Sequence, residues 1–160
     1  SSLSMSIALQ LDPGYDILTL GAAATFHDLG KYYTPIEILQ KPGRLTPEEF
    51  SIIKLHPQAS WQLLMESHGE IIAEIALQHH ERMDGSGYPR GLHADAIRMD
   101  ARIIAVADVF DAITSKRSYN NPVSYEQALS IMEQEQQLYD SDVLHALHIL
   151  VREKRLSISI

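Results

Sequence analysis

Residues 101–116 run ARIIAVADVFDAITSK, with ten apolar side chains among sixteen. It has the pattern of a helix that is apolar nearly all round, which belongs at the centre of a bundle rather than on its surface. Working outward, the flanking segments supply the helices needed to surround it. Leu3, Ile7 and Leu11 share one helical face before the Asp12–Gly14 break. A second helix is expected from about Tyr15 to Leu29, with Gly30 as its C-terminal stop. The segment 32–45, with two prolines and a glycine, reads as loop.

Thr46, Pro47 and Glu49 then form a helix start: an N-cap, a first-turn proline and the third-position acid of a capping box. Pro57 implies a kink or a fresh start near His56, and helix continues to Gly69. A helix over about 70–82 places Ile71, Ile75 and His79 in one row. Residues 83–100 are irregular, and two amphipathic helices, parted near 139–141, close the chain. Only 156–160, LSISI, alternates like a strand. The expected fold class is all-α.

Composition narrows the function. The 160 residues carry a net charge of −8, so a nucleic-acid polymer, which calls for a basic stripe, is excluded as a partner. No cysteine is present, hence no disulfide and no thiolate metal site. No apolar run approaches a membrane span, and no membrane contact is expected of this segment. The 8 histidines stand out.

Several polar groups sit where apolar ones are expected. Asp108 interrupts the central helix, and burying an unpaired carboxylate costs several kcal/mol unless it is protonated, hydrogen-bonded or bound to a cation. His27 and Asp28 end one apolar run, His79 and His80 end another, and His56 lies at the Pro57 break. A single buried histidine is usually a hydrogen-bonded core residue, and His68, His93, His145 and His148 keep that reading. Imidazoles and carboxylates gathered from several helices suit a transition metal rather than a calcium cage.

The blocks HDLGK (27–31), ILQKPGRLTPEEF (38–50), HP (56–57), HHERMDGSGYPRGL (79–92) and ARIIAVADVFDAITSKRSY (101–119) resemble HD-GYP domains, in the same order. That family is a branch of the HD metal-dependent phosphohydrolases. The resemblance implies an HD-superfamily helical bundle with an irregular GYP loop, and cytoplasmic bacterial signalling. The implied reaction is hydrolysis of c-di-GMP to pGpG or GMP at two or three divalent metals. Iron or manganese is the first expectation, with nickel, zinc or magnesium as alternatives.

By motif, His27, Asp28 and Asp108 fall to one metal, and Asp28, His56, His79 and His80 to a second, with Asp28 bridging. Lys31 and Arg117 match phosphate-contacting residues, and Lys31 with Asp28 form the catalytic pair. Gly85, Tyr88 and Pro89 belong to the loop that borders the substrate cleft and docks GGDEF domains; a homodimer is a further possible partner.

The family's upstream metal ligand would fall just before Ser1. Residues 1–160 are therefore expected to be one HD-GYP-type domain lacking its first helical segment, cut from a longer signalling protein. Asn120 stands where a basic residue is usual, and Ser60 where glycine is usual, a packing change. The rival readings are a hydrolase of cyclic GMP-AMP, and a catalytically weak c-di-GMP receptor or GGDEF-docking module.

Overall fold

The computed structural model describes residues 2–115 and 123–156. Among these the secondary structure is helical, without strands, and includes one isolated bridge between Asp84 and His93. Arg117 and Asn120 lie outside the described residues, as does the tail beyond Leu156. The helices are α1 (Ser2–Leu11), α2 (Ile17–Phe26), α3 (Ile36–Leu39), α4 (Pro47–Ile53), α5 (His56–His68), α6 (Glu70–Gln78), α7 (Met99–Thr114), α8 (Tyr125–Gln134) and α9 (Ser141–Arg152). Short 3-10 turns cover Leu29–Tyr33, Ala94–Ala96 and Gln136–Leu138.

Helix α7 is the core element. Ala101, Phe110 and every residue from Ile103 to Ala107 are buried, and α1, α6, α8 and α9 pack around it. Ile7, Leu20, Ile75 and Leu147 supply the facing apolar surface. Burial of this kind, at roughly 25 cal/mol per Å² of apolar area, is what holds helices this short in place.

Side-chain caps set several helix starts. Asp16 accepts from the N–H groups of Leu18 and Thr19 at 3.2 Å each, which opens α2. The Thr46–Glu49 capping box forms in both directions, at 3.2 and 2.8 Å. Asp140 caps α9 through Val143 at 3.2 Å and is held by Arg102 at 2.9 Å, tying α9 to α7.

Three boundaries differ from the sequence reading, and the first two shape the site. Helix α2 stops at Phe26, so His27 and Asp28 stand at its C-terminal turn and Gly30 does not terminate it. Gly30 instead lies in the following 3-10 turn, pressed against α5. A Cβ there would stand 2.1 Å from the His56 carbonyl oxygen and 2.5 Å from the Ser60 nitrogen. Helix α6 stops at Gln78, so His79 and His80 occupy its C-terminal turn rather than its interior, and Ile71 is exposed. The segment 32–45 is not all loop, because Pro35 opens α3.

Candidate metal centre

The site lies where α2, α5 and α6 bring polar residues together at their ends. His27 and Asp28 follow the end of α2, His56 begins α5, and His79 and His80 follow the end of α6. Helices α5 and α6 are neighbours, the Leu29–Tyr33 turn lies along α5, and α2 packs on α6. The sequence puts these residues at helix ends because the terminal turn frees side chains to converge. It also leaves carbonyls without intrahelical partners.

Those carbonyls orient the imidazoles. His27 Nδ1 faces the Ala24 carbonyl at 3.0 Å, His56 Nδ1 the Ile53 carbonyl at 2.7 Å, and His79 Nδ1 the Ala76 carbonyl at 2.5 Å. A carbonyl only accepts, so each ring carries its proton on Nδ1 and keeps a lone pair on Nε2. The three lone pairs turn toward one carboxylate. Asp28 Oδ1 is 3.2 Å from His56 Nε2 and 3.7 Å from His79 Nε2, and Oδ2 is 3.4 Å from His27 Nε2. The Nε2 atoms of His56 and His79 are themselves 3.2 Å apart.

Acceptors therefore face acceptors. His27 Nε2 and Asp28 Oδ1 are buried with no hydrogen-bond partner among the described residues, a costly arrangement unless something positive sits between them. Donors about 2.1 Å from a common ion lie about 3.0–4.2 Å from one another, which is the range seen here. One ligand atom each from Asp28, His56, His79 and His80 lies within 4.8 Å of the others, so this group is able to hold a metal. A ring N–H donated to a backbone carbonyl is also the usual support for a metal-bound histidine.

Protonation states agree with that chemistry. Burial pushes the His79 imidazole down to about 4, against the opposing pull of Asp28. Burial, with crowding from His79, His56 and Arg82, holds His80 far below the usual imidazole range. Burial alone would raise the Asp28 carboxyl, but its polar surroundings, the Lys31 ammonium among them, outweigh burial and hold the carboxylate ionised. Lys31 Nζ sits 2.6 Å from Asp28 Oδ2.

Asp108 is a correction. It is not sealed among apolar side chains: its side chain keeps 39% of its surface exposed, and Oδ1 is 4.0 Å from His27 Nε2. Asp108 and His27 line an open cavity of about 170 Å³ together with Ser2, Ser4, Ala24 and Ala107. Helix α7 buries Ile103–Ala107 and Phe110 in the core and turns Asp108 toward that opening. The two halves of the expected ligand set thus differ in kind. Asp28, His56, His79 and His80 converge closely, whereas His27 and Asp108 border an open space beside them.

The GYP turn folds back over His80. The Tyr88 N–H donates to the His80 carbonyl at 3.2 Å, and its ring stacks on the imidazole at a centroid distance of 4.7 Å. Gly87 permits this return, since a Cβ there would stand 2.4–2.5 Å from the backbone of residues 80–82. Gly85 takes φ +80° beneath the His93 ring, so His93 is an exposed loop residue rather than a core one. Pro89 follows a cis peptide bond and is exposed.

Two contributors escaped the sequence reading. Glu81, 2% exposed, accepts from the N–H groups of Arg90 and Leu92 at 2.7 and 2.9 Å and so pins the far end of the loop. Its signal was its place directly after the histidine pair. Ser60 does more than repack: its hydroxyl accepts from the Gly30 N–H at 2.8 Å, joining the turn after Asp28 to α5.

Comparison with known proteins places this geometry. The HD domain family matches residues 1–143. A cyclic di-GMP phosphodiesterase of Thermotoga maritima is 48% identical over 135 residues, covering 82% of this chain and 37% of the relative. The 3'3'-cGAMP-specific phosphodiesterase 1 of Vibrio cholerae is 47% identical over 110 residues, 68% of this chain and 26% of the relative. The chain thus spans between about a quarter and somewhat over a third of the length of these curated relatives. Among solved structures, the HDG"Y"P protein Bd1817 of Bdellovibrio bacteriovorus shares the fold. Its TM-score is 0.72 at 20% identity, over 94% of this chain and 51% of that one.

Proposed function

The chain belongs to the HD domain family, in its HD-GYP branch, and from that premise we propose that it is the catalytic domain of a metal-dependent phosphodiesterase that hydrolyses c-di-GMP to pGpG or GMP. The observation that carries the reading is the set of Nε2 lone pairs, each fixed by an Nδ1–carbonyl contact and aimed at one ionised carboxylate. We take the centre to hold two divalent ions, iron or manganese; the Asp28–His56–His79–His80 group supports the first of them. When bound, they would supply Lewis-acid polarisation of the phosphate and an acidified water.

The chain's own residues have distinct tasks. His56, His79 and His80 with Asp28 would hold one ion; His27 and Asp108 with the other Asp28 oxygen would face the second. Lys31 keeps Asp28 ionised and brings a positive charge to the edge of the cleft, where it would neutralise a phosphate oxygen. Arg117 is assigned the second phosphate contact by its motif. Gly85, Tyr88 and Pro89 would wall the cleft on the His80 side, and the same loop would be the surface for a GGDEF partner. We place the domain within a cytoplasmic signalling protein, with a homodimer as its assembly. No helix among the described residues is long and apolar enough to cross a membrane.

Cyclic GMP-AMP is the second reading, favoured by the resemblance to the V. cholerae cGAMP-specific enzyme. A receptor without turnover is disfavoured, because binding alone does not call for the converging group of Asp28, His56, His79 and His80.

The test is turnover by the iron- or manganese-loaded protein, with c-di-GMP and cyclic GMP-AMP compared by kcat/KM. Lys31→Ala should lower kcat by 10²-fold or more, about 2.7 kcal/mol, while metal content stays within a quarter of wild type. Binding without cleavage by the loaded wild type would reject the enzyme reading in favour of the receptor.

A further inference from the structure

Lys54 is a cation beside the site with no function in the scheme above. Lys31 and Lys41 are paired with Asp28 and Glu49, each at 2.6 Å, but no ion pair engages Lys54 among the described residues. Its ammonium instead lies 4.8 Å from the centre of the Phe50 ring and 5.8 Å from that of Tyr88. The Phe50 and Tyr88 rings meet edge to face at 6.3 Å, and Phe50 keeps 43% of its surface in solvent. Ring faces attract an ammonium but do not accept its protons as a carboxylate would. Lys54 therefore retains donors for an anion, in a chain whose net charge is −8.

Position indicates which anion. Lys54 lies two residues before His56, and Tyr88 stacks directly on His80. Tyr88 stands between the metal-site imidazoles and the Lys54–Phe50 pair. A ligand that reaches both must be longer than a single phosphodiester group. A cyclic dinucleotide has two phosphates and two bases, and only one phosphate is used at the metal centre.

We propose that Lys54 and Phe50 form an outer subsite for the second nucleotide of the substrate: Lys54 binds its phosphate and Phe50 offers a surface on which its base stacks. This rests on the phosphodiesterase reading and adds to it the residues that select a dinucleotide over a simple diester. A base on an aromatic ring and a phosphate on an ammonium are each favourable, the latter as a charge-assisted hydrogen bond.

The experiment uses the metal-loaded protein and compares c-di-GMP with bis(p-nitrophenyl) phosphate, a diester with one phosphorus and no nucleobase. In Lys54→Gln, Kd and KM for c-di-GMP should rise about tenfold, the scale of one charged hydrogen bond. The ratio of kcat/KM for c-di-GMP to that for the simple diester should fall by a similar factor, and Lys54→Arg should recover most of the loss. Phe50→Leu should raise KM with less effect on kcat.

An unchanged Kd in Lys54→Gln would overturn the subsite and leave the phosphodiesterase reading standing. Loss of metal in step with affinity would also overturn it, by revealing a structural role through His56. Wild-type protein that cleaves the simple diester but binds no cyclic dinucleotide would reject the substrate class, and the subsite with it.

Discussion

Gly30 and Asp108 show how single residues set this site. Gly30 lets the turn after Asp28 lie directly on α5, and no side chain fits in that gap. Gly30→Ala should therefore cost about 1–3 kcal/mol through overpacking, and it should lower metal affinity by displacing His56 from Asp28. Thermal melting with and without metal measures both; a variant with unchanged melting and metal content would show that the contact relaxes freely. Asp108 is half-exposed, so its removal leaves no buried hole. Asp108→Ala should keep its circular dichroism spectrum and lose about one metal equivalent per chain, while the ion held by the Asp28–His56–His79–His80 group remains. Full retention of metal, measured by elemental analysis, would remove Asp108 from the ligand set.

Among the elements, the 83–92 loop depends on an anchor outside its own motif. Glu81 satisfies two backbone N–H groups at the far end of the loop while Tyr88 covers His80 at the near end. Glu81→Ala would leave both donors unpaired in a partly buried place, at a cost of about 1–3 kcal/mol for each donor that water does not recover. Amide hydrogen exchange should speed up at residues 83–92 in that variant, with α7 protection retained. Uniform acceleration over the chain would mean that Glu81 supports the whole fold rather than the loop. The helix ends have an equally local logic: α2 and α6 stop one turn earlier than periodicity implies, and the turns released there carry the imidazoles.

Across the whole molecule, metal and fold should be linked. The converging lone pairs around Asp28 are unfavourable without a cation, and an unfolded chain offers no equivalent site. An ion present at about 100 times its Kd adds about 2.7 kcal/mol, which for a chain of this size raises Tm by roughly 5–11 °C. Chelation followed by scanning calorimetry checks this, and manganese added back should restore the original melting temperature. An identical Tm with and without metal would indicate a site too weakly populated to act as the catalytic centre.

The all-α class, the central position of α7, the capping box at Thr46 and the family to which the motifs point were all legible in the order of the residues alone. Those features depend on periodicity, local capping and residue type, all of which are short-range and legible in one dimension. Tertiary structure decided where α2 and α6 end and that Asp108 faces an opening rather than the core. It also decided that Ser60 ties Gly30 to α5, that Glu81 holds the loop, and that Lys54 lies over Phe50 and Tyr88. Apart from the Lys54–Phe50 pair, four residues apart, each of these joins residues distant in sequence or is set by a neighbouring helix. Pattern along one chain cannot say which carbonyl, ring or carboxylate will be the nearest neighbour once the helices pack.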